Sequence, residues 1–577
     1  MTDTQPQPQS LVDWDYWLNR WPDAPVVLTR ANAADGYPKA LTPLSEDLVL
    51  RFEEAGVRRF YFETLKALRP GDCPTPFMQA YYGLVYLNAD QMGDLGDAMP
   101  GSSRFVVFQS VLGLGPDPAF VAPKPSLAGR LALARAGVRV MPRVLSLART
   151  TAARIERQIA EVDAAQPSSP DDLDRPAAAA WLARLEALQT PAWETLMIAA
   201  TIAIALFETT QKAIASAVGE AGADLTNRLH VGLGGNESAE AGIAVQRLAD
   251  IARASAAVTS ALERRASIDE VCAADAGFAR ELDRVIGRFG HRAPAELELA
   301  NDSWRADPAQ LLDVVRIELR RPRHAEGASH IRAEAEAELA STVSSLRRRV
   351  LGALLKRSRH LMAVRENAKI PVVRVFDATR RLLAGVAPTL VAAGVVPDAG
   401  SLVYLRYDEL REVLAGGPGP GHEELGRRRD AHARCLELEL PELAEAGPGW
   451  LRPLDNTLLS SRGLVPPAPT DALTDRLEGI GASPGRITGT ARVMLDPSDD
   501  FEPGDVLFAK TVDPGWAPVL SCAGAVVLDM GGLLSHGAVV ARELGIPCVV
   551  NVRSGTTHAR TGSQVTVDGS AGEVLLV

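Results

Sequence analysis

From about Ser126 to Leu414 apolar residues recur at three- and four-residue spacings, as in Ala177–Val218 and Ala239–Arg265. This period predicts amphipathic helices, and over such a length a helical bundle. Breaks are expected at Gly232–Asn236, Phe289–Glu296 and Pro371. After about Leu477 the texture changes. Gly485–Leu495, Gly504–Lys510, Gly524–Asp529, Pro547–Val552, Ser563–Gly569 and Gly572–Val577 are short β-branched runs bounded by turn residues, and they predict strands. Among them lies one helix, with Ser535 as its N-cap and Gly545 just past its end. Before the helical region, a polar tail leads into an extended, Pro- and Gly-punctuated stretch, and a helix is expected to begin at Asp47–Glu54. The apolar, aromatic text of Gln79–Val121 fits short strands and short helices equally.

These patterns predict a multidomain chain. Residues 1–75 form an extended cap packed on a mainly α-helical domain over 76–446. A Pro- and Gly-rich linker follows over 447–473, and a compact β/β/α domain over 474–577. The length of 577 residues agrees, since a single core stops growing near about 300. Acidic residues outnumber basic ones 72 to 61, so a sequence-independent nucleic-acid partner is not expected. The five cysteines lie far apart without a CxxC pair, which argues against a disulfide framework and a cysteine zinc site. No signal peptide is legible, and the uncharged run Thr195–Phe207 is shorter than a bilayer span of about 20 residues. A cytoplasmic protein without membrane contact is therefore expected.

The sharpest chemical signal is the segment Met530–Val550. Gly531 and Gly532 allow a tight turn after a strand, Ser535 caps a helix, and His536 lies in its first turn. The positive end of the helix dipole disfavours imidazolium there, and the free N–H groups favour an anion. His536 is thus a candidate nucleophile, although a histidine merely satisfied at a helix start has the same spacing. Arg365 and Lys369 lie four apart, and on one helix they share a face. Two cations there make sense beneath an anion, with Glu366 relieving them in part; a solvated basic face ending at Pro371 is the other reading. His291, Arg292 and Glu296 occupy a turn between a helix-breaking Gly290 and Pro294, and are either pocket groups or a plain helix corner. The Gly232–Asn236 stretch lacks dinucleotide spacing, Arg347–Arg349 and Arg427–Arg429 read as solvated runs, and no histidine has metal-ligand spacing.

The run Gly531, Gly532, Ser535, His536, Ala538, Ala541, Arg542, Glu543, Gly545, Ile546, Pro547 resembles the phosphohistidine signature of phosphoenolpyruvate-utilising enzymes. Weaker matches over Val26–Leu410 resemble the substrate-binding half of rifampicin-phosphotransferase-like proteins. The resemblance implies a swivelling phosphohistidine domain and a phosphotransferase activity with His536 as the phosphorylated residue. It implies that Gly531, Gly532, Ser535 and Arg542 form the phosphohistidine loop, and that Arg365, Glu366 and Lys369 line the transfer site. His291, Arg292 and Glu296 would bind substrate. Ala293 stands where the family has a glycine, a mild departure. The substrate-half pattern starts near Val26 and no phosphoenolpyruvate barrel follows, so an ATP-grasp partner subunit is expected to hold ATP and Mg²⁺, as in split enzymes resembling phenylphosphate synthase. The acceptor would be a hydroxyl of a small phenol, alcohol or antibiotic-like molecule. A phosphoenolpyruvate-synthase-like component, a non-catalytic phosphocarrier and a pure binding protein are the competing readings.

Overall fold

The computed structural model describes residues 21–30, 33, 34, 36–69, 71, 73, 75–98, 104, 107, 127–167, 169–219, 222–235, 237–320, 327–454, 475–495, 501–512, 514–533 and 535–576. The axis of the helical part is one long helix, Arg175–Val218. The Asp174 carboxylate accepts from the Ala177 N–H at 2.8 Å, and Pro176 occupies the first turn, where an N–H is not needed. Trp181, Trp193, Ile198 and Phe207 are buried along it. The helices Pro43–Arg58, Leu127–Ala164, Ser345–Asn367 and Ile370–Ala392 pack around this axis. The crossing with Pro43–Arg58 is close because of Gly56, where a Cβ would lie 2.5 Å from that of Trp193. By length and composition Arg175–Val218 is long and apolar enough to cross a membrane, although the uncharged run inside it is short. A second apolar core, around Leu248, Phe278 and Leu311, gathers the helices between Glu237 and Arg320.

The extended N-terminal stretch is a strand, and it crosses the expected domain borders. Strands β1 (Val26–Thr29), β2 (Met78–Tyr81), β3 (Leu84–Asn88), β4 (Leu443–Gly447) and β5 (Trp450–Pro453) form one antiparallel sheet in the order β2-β3-β1-β4-β5. Divisions at 75/76 and 446/447 therefore both cut through it. The start of the expected linker is a hairpin, with Leu451 opposite Ala446, and residues 455–474 lie outside the described residues. The cause is backbone satisfaction: the buried β1 needs ladder partners on both sides, and β3 and β4 supply them from farther along the chain. Asp47–Glu54 falls inside a full helix, Pro43–Arg58, continued by a wider π-helical turn over Arg59–Thr64.

The C-terminal region is a sheet unit with its own core. Strands β6 (Arg476–Glu478), β7 (Ile480–Ser483), β8 (Arg486–Val493), β9 (Val506–Ala509), β10 (Ala525–Leu528), β11 (Cys548–Val550), β12 (Gln564–Asp568) and β13 (Glu573–Leu576) take the order β6-β13-β12-β8-β9-β10-β11-β7. The centre, β8-β9-β10-β11, is parallel, and the helix His536–Leu544 crosses over between β10 and β11. Trp516 packs inside this core beside Val519 and Leu520. One charge run departs from the expected solvated surface. Arg428 is buried, bonded to Glu409 at 2.6 Å and Glu424 at 2.9 Å, because its helix turns that position inward against carboxylates from a neighbouring element and its own first turn.

Candidate active site

Gly531 opens the loop after β10 with φ +123°, and a Cβ there would meet the Ser535 Oγ at 2.8 Å, so this turn requires glycine. His536 is the first residue of the helix and Gly545 ends it in the left-handed conformation, φ 68°. A Cβ on Gly537 would lie 2.5 Å from Val512, so the helix start is pressed onto the sheet.

Ser535 occupies the N-cap position with extended backbone, but its hydroxyl does not cap. The Oγ is buried without a hydrogen-bond partner, which leaves the first-turn N–H groups to another acceptor. Arg542 does not point outward from the loop. It is buried, donates back to the Ala538 carbonyl at 3.1 Å and to the Leu533 carbonyl, and so ties the loop to its own helix. Burial, then the nearby Arg365, pushes its guanidinium down to about 10.

The helical part brings its candidates to the same place. The helix carrying Arg365 ends at Asn367, and the next begins at Ile370. The expected single helix face is therefore broken between Arg365 and Lys369, because Pro371 has no N–H to continue the ladder. The two cations take different carboxylates: Arg365 bonds Glu366 at 2.8 Å, and Lys369 bonds Glu296 at 3.1 Å. Arg292 reaches the other Glu296 oxygen at 2.9 Å, and His291 Nε2 lies 3.0 Å from Glu237. Burial alone would raise the Glu296 carboxyl, yet Arg292, Lys369 and His291 together hold it at about 2. Arg380 supports this turn from behind, donating to the Glu296 and Glu298 carbonyls at 2.6 and 2.8 Å.

His536 faces that cluster. Its Nε2 is buried. Burial, then the positive field of Lys369, pushes the imidazole down to about 3; Glu296 opposes this, and Arg292 and Arg365 add to it. The ring is a neutral base at physiological pH, in a field that favours added negative charge.

Three groups escape sequence reasoning. Asn367, at the helix break, accepts from the Glu237 N–H at 3.0 Å and donates to the Gly235 carbonyl at 2.9 Å. Glu237 aligns His291. The glycine stretch 232–235, set aside as a mere helix break, touches the far end of the His536 helix: Gly232 N–H donates to the Arg542 carbonyl and Gly234 N–H to Glu543 Oε2, each at 3.4 Å. The one available signal was Glu237 two residues after the glycine run, an acidic residue placed to open a helix. Among the described residues no group of three or more His, Cys, Asp or Glu side chains could hold a metal ion.

Residues 192–366 match the rifampicin phosphotransferase fourth domain, and residues 501–572 match the mobile domain of PEP-utilising enzymes. An uncharacterised Mycobacterium tuberculosis protein is 31% identical over 340 residues, covering 58% of this chain and 36% of that protein. The rifampicin phosphotransferase of Streptomyces sviceus is 27% identical, covering 59% of this chain and 40% of its own. The prodigiosin synthesizing transferase PigC of Serratia marcescens is 26% identical, covering 62% and 40%. The chain thus spans about two fifths of the length of these relatives. A solved aconitase X from Thermococcus kodakaraensis covers 18% of this chain at 19% identity, with a TM-score of 0.15 that carries no argument. The molecule is a multidomain, mostly helical protein whose C-terminal sheet region matches the mobile domain of PEP-utilising enzymes. Its likeness to the rifampicin phosphotransferases and to the PEP-utilising enzymes is carried by these two regions.

Proposed function

We propose that this chain is the acceptor half of a phosphotransferase in which His536 carries the phosphoryl group. The observation that carries the reading is the neutral His536 ring set against Lys369, Arg292, Arg365 and Glu296. His536 takes the phosphoryl group at an ATP-grasp unit, proposed to be a separate subunit that also holds ATP and Mg²⁺. It then passes the group to a hydroxyl of a small organic acceptor. In that step the N–P bond breaks, an O–P bond forms, and the hydroxyl proton leaves for a base.

The two carboxylates divide the work. Glu296 is held anionic beside Arg292 and Lys369 and is too weak a base to take a proton; its part is to fix those two side chains. Glu366, bonded to Arg365 at the edge of the cluster, is the proposed base. Lys369 and Arg365 meet the charge that spreads over the phosphoryl oxygens in the transition state. First-turn N–H groups left open by Ser535 receive the charge on phosphorylated His536. A cluster of paired, buried charge costs stability and has no use in a bare carrier, which favours the catalytic reading over a regulatory paralogue.

The test separates charging from discharge. His536 is charged by a nucleotide unit or chemically, and loss of phosphohistidine is followed on adding acceptor. Lys369→Met and Arg365→Met charge normally and discharge about a hundredfold more slowly. His536→Ala takes up no acid-labile phosphate. Label persisting in His536→Ala, or wild-type discharge in both other variants, removes this mechanism.

A further inference from the structure

The loop 231–235 is bonded from two sides. Its carbonyls are taken by the helical part: Arg332 donates to the Val231 carbonyl at 3.4 Å and to that of Gly232, and Asn367 donates to that of Gly235 at 2.9 Å. The N–H groups of Gly232, Leu233 and Gly234 are taken by the mobile domain, whereas that of Val231 returns to the Arg228 carbonyl. Gly232 gives its proton to the Arg542 carbonyl, and the Glu543 carboxylate accepts from Leu233 and Gly234. Gly232, Gly234 and Gly235 have φ of 59°, 67° and 71°. These left-handed glycines, with Leu233 between the first two, turn the N–H groups of 232–234 to one side, as a concave anion-binding nest requires. Glu543 lies in the last turn of the helix that begins with His536, so a hold on one end sets the reach of the other.

The loop is also wired to the pocket. Asn367 lies between Glu366 and Lys369, and it receives the N–H of Glu237, whose carboxylate holds His291 beside Arg292. Contacts at Glu543 and at the cluster therefore share one tether.

We propose that Glu543 and the glycine loop 231–235 form a docking latch, with Glu543 as a positioning residue that seats the His536 helix over the acceptor site. The proposal rests on the carrier reading of His536 only for its purpose. The latch itself is a statement about which contacts hold the mobile domain down. Releasing Glu543 frees the nest and lets His536 leave the cluster; re-seating it aligns the ring with Lys369. The carboxylate matters because a charged acceptor on two backbone donors outweighs a neutral one.

Amide hydrogen exchange at 232–234 reads the latch without any phosphoryl chemistry. Glu543→Ala is expected to speed exchange there by roughly tenfold, the equivalent of one charge-assisted bond, and to leave β9 and β10 as slow as in the parent. Phosphoramidate, a small phosphoryl donor, should label His536 faster in this variant, because the ring is no longer covered. Arg332→Ala loosens the loop from the opposite side and should show the same exchange change, which keeps the test open should Glu543→Ala fold poorly. Unchanged exchange at 232–234 in both variants overturns the latch. Faster exchange spread equally over β9 and β10 also overturns it, since that marks a destabilised domain. If phosphoramidate labels no His536 in either protein, the carrier reading falls and the exchange result alone decides the latch.

Discussion

Glu296 is the residue on which the cluster turns. It is fully buried, and its two oxygens face Lys369 at 3.1 Å and Arg292 at 2.9 Å. Neutralising it leaves two cations in a partly closed site with no anion between them. Glu296→Gln is therefore expected to cost about 3–5 kcal/mol of stability, measured by urea unfolding near neutral pH. A loss within about 0.5 kcal/mol would mean that water, rather than Glu296, compensates the cations. The acid end has a defined sign. A carboxyl held at about 2, below the usual carboxylate range, stabilises the fold above that range, and its contribution disappears as pH falls toward 2. Ser535 makes the complementary point. A hydroxyl at an N-cap ordinarily serves its own helix, but here it is turned aside and makes no cap bond.

At the level of elements, His230 shows how the helical part tolerates a buried imidazole beside the latch loop. One nitrogen meets the Thr226 carbonyl at 2.8 Å and the other the Ser358 hydroxyl at 2.9 Å, with Phe207 edge-on to the ring. Both bonds suit the neutral form, and burial pushes the imidazole down from 6.5 to about 3. The unfolded chain takes up a proton as pH falls through 6.5, whereas the folded chain does not until about 3. Stability therefore falls with pH across that window, by about 1.4 kcal/mol per unit for this group. His230→Gln should remove that share of the slope in urea unfolding at pH 7, 6 and 5. An unaltered slope would show that His230 titrates in the folded state as it does in the unfolded one. His536 is depressed in the same direction, so part of the acid sensitivity remains in the variant.

For the whole molecule the decisive feature is the sheet that joins distant ends of the helical part. β1 pairs with β3 on one side and β4 on the other, Leu28 lying opposite both Asn88 and Ala444. A fragment ending at 446 loses β5 and the last residue of β4, leaving β4 as a bare edge. A fragment ending at 454 keeps the hairpin. The longer fragment is expected to unfold several degrees higher in a thermal scan monitored by circular dichroism. Equal midpoints would show that β5 adds nothing to the helical part. Residues 475–576 have cores of their own around Leu507 and Val527, and the helical part packs against the first of these through Ile317, with Glu318 accepting from the Ser521 hydroxyl.

What the sequence alone determined is local. Glycines before Ser535 and His536, Gly545 beyond the helix and β-branched runs on either side specify the strand–turn–helix that carries His536, because turn geometry, helix ends and the dipole depend on neighbours in the chain. The helical period of 126–414 is legible for the same reason, and the resemblance to the phosphohistidine signature supplies the expectation for the histidine. Only the tertiary structure decided the rest. Lys369 meets Glu296 instead of Glu366, Arg428 turns inward, the strand at Val26 finds Leu443–Gly447, and a discarded glycine loop receives Glu543. These pairings join residues far apart in the chain. Charge spacing along a helix says which groups are close to each other, but the partner of a buried charge or an open strand edge is chosen by whichever packed element lowers its desolvation cost.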